Sequence, residues 1–127
     1  YLCLIIVYTI FIFIACLIPL PTFNQEVIPS FFLFKYLDKV FHFLSYVLWT
    51  FLYILLFKKK YWGLILASMI GFIIEILQSF TGYRDFQTTD ILANVFGSLN
   101  GILIYIKFPN TLSKLDQYLK VKFRKSL

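Results

Sequence analysis

The stretch GFIIEILQSFTGYRDFQTTDILANVFGSLNG, residues 71–101, sets the reading of the whole chain. Two apolar segments flank a short polar loop, and Glu75, Gln78, Arg84, Asp90 and Asn94 crowd toward that loop. Both segments have the apolarity of membrane helices, and at the centre of a bilayer an unpaired charged side chain costs at least ~2.5 kcal/mol. Polar groups gathered at one level of such a helix pair therefore either pair with one another or do chemical work.

Composition carries this outward. Of the 127 residues, 61% are hydrophobic, 21% aromatic and 14% charged, against roughly 25% charged in a typical soluble domain. Four apolar runs, about 2–18, 40–57, 61–80 and 90–106, come near the ~20 residues that cross a hydrocarbon core. The expectation is an all-α membrane protein with four transmembrane helices in one domain, 1–106, followed by a basic tail, 107–127. The formal charge of +6 does not imply a nucleic-acid partner, because the lysines cluster just beyond the apolar runs rather than along a groove-sized face. Cys3 and Cys16 lie thirteen residues apart in one run and cannot pair with each other, which leaves them as packing residues.

The first run ends at Pro19 and Pro21 and reads as an anchor without chemistry; a cleaved signal sequence is the competing reading, against which stand the missing basic n-region and A-x-A-like site. Residues 20–37 read as the longest loop, with Phe31, Phe32, Phe34 and Tyr36 as an aromatic element that either lies on the bilayer surface or dips beside the site. In the second span Asp38, His42 and Ser45 share one face near its start, with Tyr46 on the flank. The third span aligns Ser68, Gly71, Glu75, Gln78 and Ser79 on a stripe too polar for lipid. Thr88 or Thr89 is the expected cap of the fourth span, where Asp90, Asn94, Gly97 and Gly101 fall on one face and the two glycines form a close-approach pair. In the tail, Leu112, Leu115, Leu119 and Phe123 recur at helical spacing among lysines, as in an amphipathic helix suited to an anionic membrane surface; a solvated positive-inside tail is the other reading.

Nine of the twelve basic residues lie between spans two and three or after span four, which places both termini in the cytoplasm and the polar loop outside. Three spans then converge their polar ends on one outward-facing level. His42, Glu75 and Asp90 are the candidate catalytic groups, with His42 as general base or nucleophile and the carboxylates orienting it or serving as acid and base. Asp38, Lys39, Tyr46, Gln78, Arg84 and Asn94 are the candidate substrate-binding groups. Among them Arg84 and Lys39 would neutralise an anion, the guanidinium forking two donors onto phosphate or carboxylate oxygens.

A purely structural cluster would instead pair Glu75 with Arg84 or Lys39, pair Arg84 with Asp85 or Asp90, cap the fourth helix with Asp90, and bridge helices through Asn94 and Gln78. No cofactor is called for. A divalent metal held by His42, Glu75 and Asp90 is conceivable, although no HExxH, paired-cysteine or EF-hand spacing occurs. Neither a phosphate-cradling glycine loop nor a G-x-S-x-G is present, which leaves nucleotide and serine-hydrolase readings without support.

These residues resemble the VanZ-like family of small bacterial membrane proteins. Asp38-Lys39-x-x-His42-Phe43-x-x-Tyr46 looks like the family's second-helix motif. Glu75-x-x-Gln78, then Arg84-x-Phe86-x-x-x-Asp90-x-x-x-Asn94-x-x-Gly97-x-x-x-Gly101, looks like its third-helix, loop and fourth-helix motif. The match runs from Asp38 to Gly101, about half the chain, and departs where Tyr83 separates Gly82 from the arginine. The family's namesake is linked to teicoplanin resistance, and the family is grouped by resemblance with lipid head-group enzymes, its polar motif being the proposed active site. The resemblance implies a multi-pass protein of the bacterial cell membrane whose partners are membrane lipids and whose activity is a head-group phosphoester hydrolysis or transfer. The alternative is a non-catalytic envelope protein that binds a lipid, a glycopeptide or a cell-wall precursor. Oligomeric state is left open.

Overall fold

Long apolar runs leave the backbone one local way to satisfy its own N–H and C=O groups in hydrocarbon, the helix. A computed structural model of the chain, which describes residues 2–18, 28–82 and 84–108 and tail positions 114, 117, 118 and 121, is helical with no strand among those residues. Four helices follow in order: α1 (Leu2–Leu17), α2 (Ile28–Phe57), α3 (Lys60–Ser79) and α4 (Thr88–Lys107). Three segments, Tyr36–Phe57, Lys60–Ser79 and Thr88–Lys107, are long and apolar enough to cross a membrane. α1 is apolar but has 16 residues, about 24 Å of helix against a core of about 30 Å.

The expected loop over 20–37 is in part corrected. α2 begins at Ile28, so residues 28–37 continue into the second span as one 30-residue helix. Pro29 stands in the first turn, where its missing N–H costs no intrahelical bond, and no proline follows it before Phe57. The change of composition near Asp38 does not break the backbone. The side chains of Phe31, Phe32 and Phe34 and the proposed amphipathic pattern of the tail lie outside the described residues.

The α2–α3 reversal is abrupt. Lys58 adopts φ 59°, a left-handed conformation that non-glycine residues rarely take, and Lys60 already belongs to α3. At the opposite end the α3–α4 connection turns through Gly82, at φ 76°. This up-and-down course puts Lys58, Lys59, Lys60 and Lys107 at one end of the bundle, and Asp38, Glu75, Arg84 and Asp90 at the other.

α4 packs most closely along α2, and the reason is glycine. A Cβ built on Gly97 would stand 2.3 Å from the Phe43 carbonyl oxygen, and one on Gly101 would stand 2.6 Å from that of Val47. One turn apart on each helix, these contacts let backbone touch backbone. α1 lies against α2 and α3 through a core of Ile5, Ile12, Cys16, Tyr46, Trp49, Ala67 and Ile74. It is pinned there by Trp49 Nε1–H donating to Thr9 Oγ1 at 2.8 Å and Gln78 Nε2–H donating to the Cys16 carbonyl at 2.8 Å.

The outer faces reverse the pattern of a soluble protein. Leu44, Leu48, Ile65, Met69, Phe72, Phe96 and Leu103 are exposed, whereas His42, Thr50, Glu75, Gln78, Asp90, Asn94 and Ser98 are buried. Water outside would penalise that arrangement; lipid outside stabilises it.

Candidate functional site

α2 enters the site with Asp38, Lys39 and His42, α3 ends with Glu75 and Gln78, and α4 starts with Asp90 and Asn94. The floor is sealed and the rim is open. His42, Glu75 and Asp90 are exposed by 0, 1 and 1%, while the side chains of Arg84, Asp38 and Lys39 keep 11, 15 and 25%.

Two ion pairs cross the rim. Lys39 Nζ donates to Asp90 Oδ1 at 2.5 Å, and also to Gln87 Oε1 at 3.0 Å and Thr89 Oγ1 at 2.8 Å. Arg84 donates from Nη2 to Asp38 Oδ2 and stands 3.8 Å from Asp90 Oδ2. Each aspartate thus accepts a hydrogen bond from a cation through one oxygen. Of the remaining two, Asp38 Oδ1 lies 3.9 Å from His42 Nε2, and Asp90 Oδ2 has no hydrogen-bond partner among the described residues.

His42 is held from behind. Its Nδ1 lies 3.0 Å from Asn94 Oδ1, an acceptor, so in the neutral ring Nδ1 carries the proton and Nε2 the lone pair. That Nε2 is fully buried without a hydrogen-bond partner among the described residues. A bare imidazole nitrogen beside two carboxylates can take a proton, attack an electrophile or ligate a cation.

Several pairings differ from those the sequence invites. Glu75 meets neither Lys39 nor Arg84: its Oε1 accepts the Gln87 backbone N–H, and its Oε2 has no hydrogen-bond partner among the described residues. The expected threonine cap is not formed: Gln87 is the N-cap of α4 with no side-chain cap bond, its own backbone N–H goes to Glu75, and the Thr89 hydroxyl is engaged with Lys39. Arg84 pairs across the bundle with Asp38 rather than with Asp85.

Gln78 is drawn toward α1 through Cys16, and Tyr46 lies wholly buried with its hydroxyl unpartnered among the described residues. Ser79, expected on the inward stripe, is exposed and bonds the Ile76 carbonyl. Gln87 and Thr89 are the site neighbours that sequence reasoning missed. A loop glutamine and a helix-start threonine carry no periodic signal, and only the cross-helix reach of Lys39 singles them out.

Fold and site together define a small helical membrane protein with a charged, histidine-centred cluster at one end of its bundle. The VanZ/LLP1 family matches residues 1–110, and the chain belongs to that family. No curated protein and no solved structure matches it.

Proposed function

We propose that this VanZ-like membrane protein acts on the head group of a phospholipid or lipid carrier at the outer leaflet of a bacterial membrane. Both termini are then cytoplasmic, with the lysine-rich end of the bundle inside. The observation that carries the reading is the buried Nε2 of His42, without a hydrogen-bond partner among the described residues and near Asp38 and Asp90, beneath a rim where Arg84 and Lys39 stay partly exposed. A phosphate arriving from the membrane plane would take over donors now given to the aspartates, since a guanidinium and an ammonium bind phosphate as readily as carboxylate. His42 would accept the proton of the attacking water or alcohol as the new P–O bond forms and the bond to the leaving group breaks. Glu75 or Asp90 would protonate the departing oxygen, and Asn94 would hold the ring in the required tautomer.

Lipid mass spectrometry of cells with and without the protein tests this directly. A head-group species that appears with the wild type should vanish with His42→Ala and fall sharply with Glu75→Gln. Full conversion by His42→Ala would overturn the mechanism.

The paired state of both cations favours a second reading, in which the cluster opens to bind a lipid or glycopeptide without turnover. It predicts an unchanged lipidome, altered glycopeptide binding and tolerance of Asp90→Asn.

A further inference from the structure

One ligand-capable atom from each of Asp38, His42 and Asp90 can be chosen so that all three lie within 4.8 Å of one another, two of the three residues being buried. We infer that Asp38, His42 and Asp90 form a binding site for one divalent cation, with two carboxylate oxygens and one imidazole nitrogen as ligands. The strongest sign is that two of the three ligand atoms have no hydrogen bond on the side where an ion would sit, Asp90 Oδ2 having only the Arg84 guanidinium at 3.8 Å, while all three residues are held on the side where a support would sit. His42 Nε2 and Asp90 Oδ2 are buried without hydrogen bonds among the described residues, and Asp38 Oδ1 faces Nε2 at 3.9 Å. Behind them, His42 Nδ1 is held by Asn94 Oδ1, Asp38 Oδ2 by Arg84 and Asp90 Oδ1 by Lys39.

Metal-ligating histidines nearly always give their other ring nitrogen to an oxygen acceptor, and ligating carboxylates are themselves hydrogen-bonded; each of these outer contacts is in place. One nitrogen and two oxygens leave coordination positions open toward the rim, as in catalytic rather than structural sites. The two cations offset the two aspartates, so before Glu75 is counted the cluster carries no excess negative charge. Affinity must come from geometry. It is accordingly expected to be moderate and to rise when an anionic head group draws Lys39 and Arg84 away.

The site deepens the head-group reading at one point: a bound cation would take the His42 lone pair and supply acidity to a water, whose proton would then pass to the Glu75 carboxylate instead of His42 and from there to the departing oxygen. Cation binding and head-group conversion nevertheless stand or fall separately, because binding is read without turnover.

The test uses chelator-stripped full-length protein in lipid nanodiscs, titrated with Mn2+ to millimolar concentration and followed by electron paramagnetic resonance. One Mn2+ per chain is expected, displaced by Zn2+, with spin-echo modulation from one imidazole nitrogen. His42→Gln, Asp38→Asn and Asp90→Asn should each abolish the bound signal. Asn94→Ala should weaken binding by about 10- to 100-fold, and Asn100→Ala, which lies away from the cluster, should leave it unchanged. Wild-type protein with no saturable one-per-chain binding, or with bound Mn2+ lacking nitrogen modulation, overturns the site whether or not the variants fold. Retained binding in all three ligand variants overturns it as well. Loss of binding with lipid conversion intact would refute the cation's role in the reaction while sparing the head-group reading.

Discussion

Replacing Gly97 with alanine should spread α2 from α4 and disconnect His42 from Asn94. The added Cβ would lie 2.3 Å from the Phe43 carbonyl oxygen, whereas ordinary contact starts at 3.4 Å, so the helices must part by roughly 1 Å at this level. The obstacle is backbone, which cannot rotate aside as a side chain can. Phe43 follows His42 directly, and Asn94 lies about one turn before Gly97, so the same displacement carries the 3.0 Å Nδ1–Oδ1 contact beyond hydrogen-bond range. Overpacking costs about 1–3 kcal/mol and the lost bond about 1 kcal/mol, while alanine regains about 1 kcal/mol of helix propensity over glycine. The packing term decides the sign, and the net loss is about 1–3 kcal/mol.

Reversible unfolding in mixed micelles with increasing denaturing detergent, followed by circular dichroism, measures this. Gly101→Ala, whose Cβ meets the Val47 carbonyl oxygen at 2.6 Å, should be somewhat milder. Gly63→Ala should be mildest, because its nearest atom is Tyr53 Cδ1 at 3.0 Å on a movable ring. Wild-type stability for Gly97→Ala, or a larger loss at Gly63 than at Gly97, would refute the argument that backbone contact sets the α2–α4 spacing.

The remaining predictions probe the polar interior in the same assay. Tyr46→Phe removes a buried hydroxyl without a partner among the described residues and should hold or raise stability by up to about 1 kcal/mol; a clear loss would mean that the hydroxyl is bonded in the membrane. Trp49→Phe gives up the bond to Thr9 and part of the buried ring, and should cost about 1–2 kcal/mol and make α1 easier to cleave by protease. Lys39→Met leaves the Asp90 carboxylate with only Arg84, at 3.8 Å, and should cost about 1–3 kcal/mol, less than for a sealed pair because Lys39 is a quarter exposed. Adding Asp90→Asn should recover much of that loss, and strict additivity in the double-mutant cycle would argue against the pair.

Local pattern made much of the architecture legible. Apolar run lengths mark the helices of the bundle, and the recurrence of Asp38 with His42, Glu75 with Gln78, and Asp90 with Asn94 assigns each pair a common face near one end of its helix. The start of α2 was not legible, because aromatic and charged residues before Asp38 read as surface composition while the backbone there has no reason to stop being helical.

What tertiary structure alone decided is which polar atom meets which. Arg84 could reach Asp85 or Asp90 by sequence; it bonds Asp38 and stands 3.8 Å from Asp90, and Lys39 spans 51 positions to Asp90. The physical reason is geometric. Periodicity fixes a side chain's direction about its own helix axis, but the spacing and rotation of one helix against another are set by packing, here by two glycines pressed on the carbonyls of Phe43 and Val47. The residue types and the level of the site were written along the chain, whereas the meeting of the His42 Nε2, without a hydrogen-bond partner among the described residues, with Asp38 and Asp90 exists only because α2 and α4 touch.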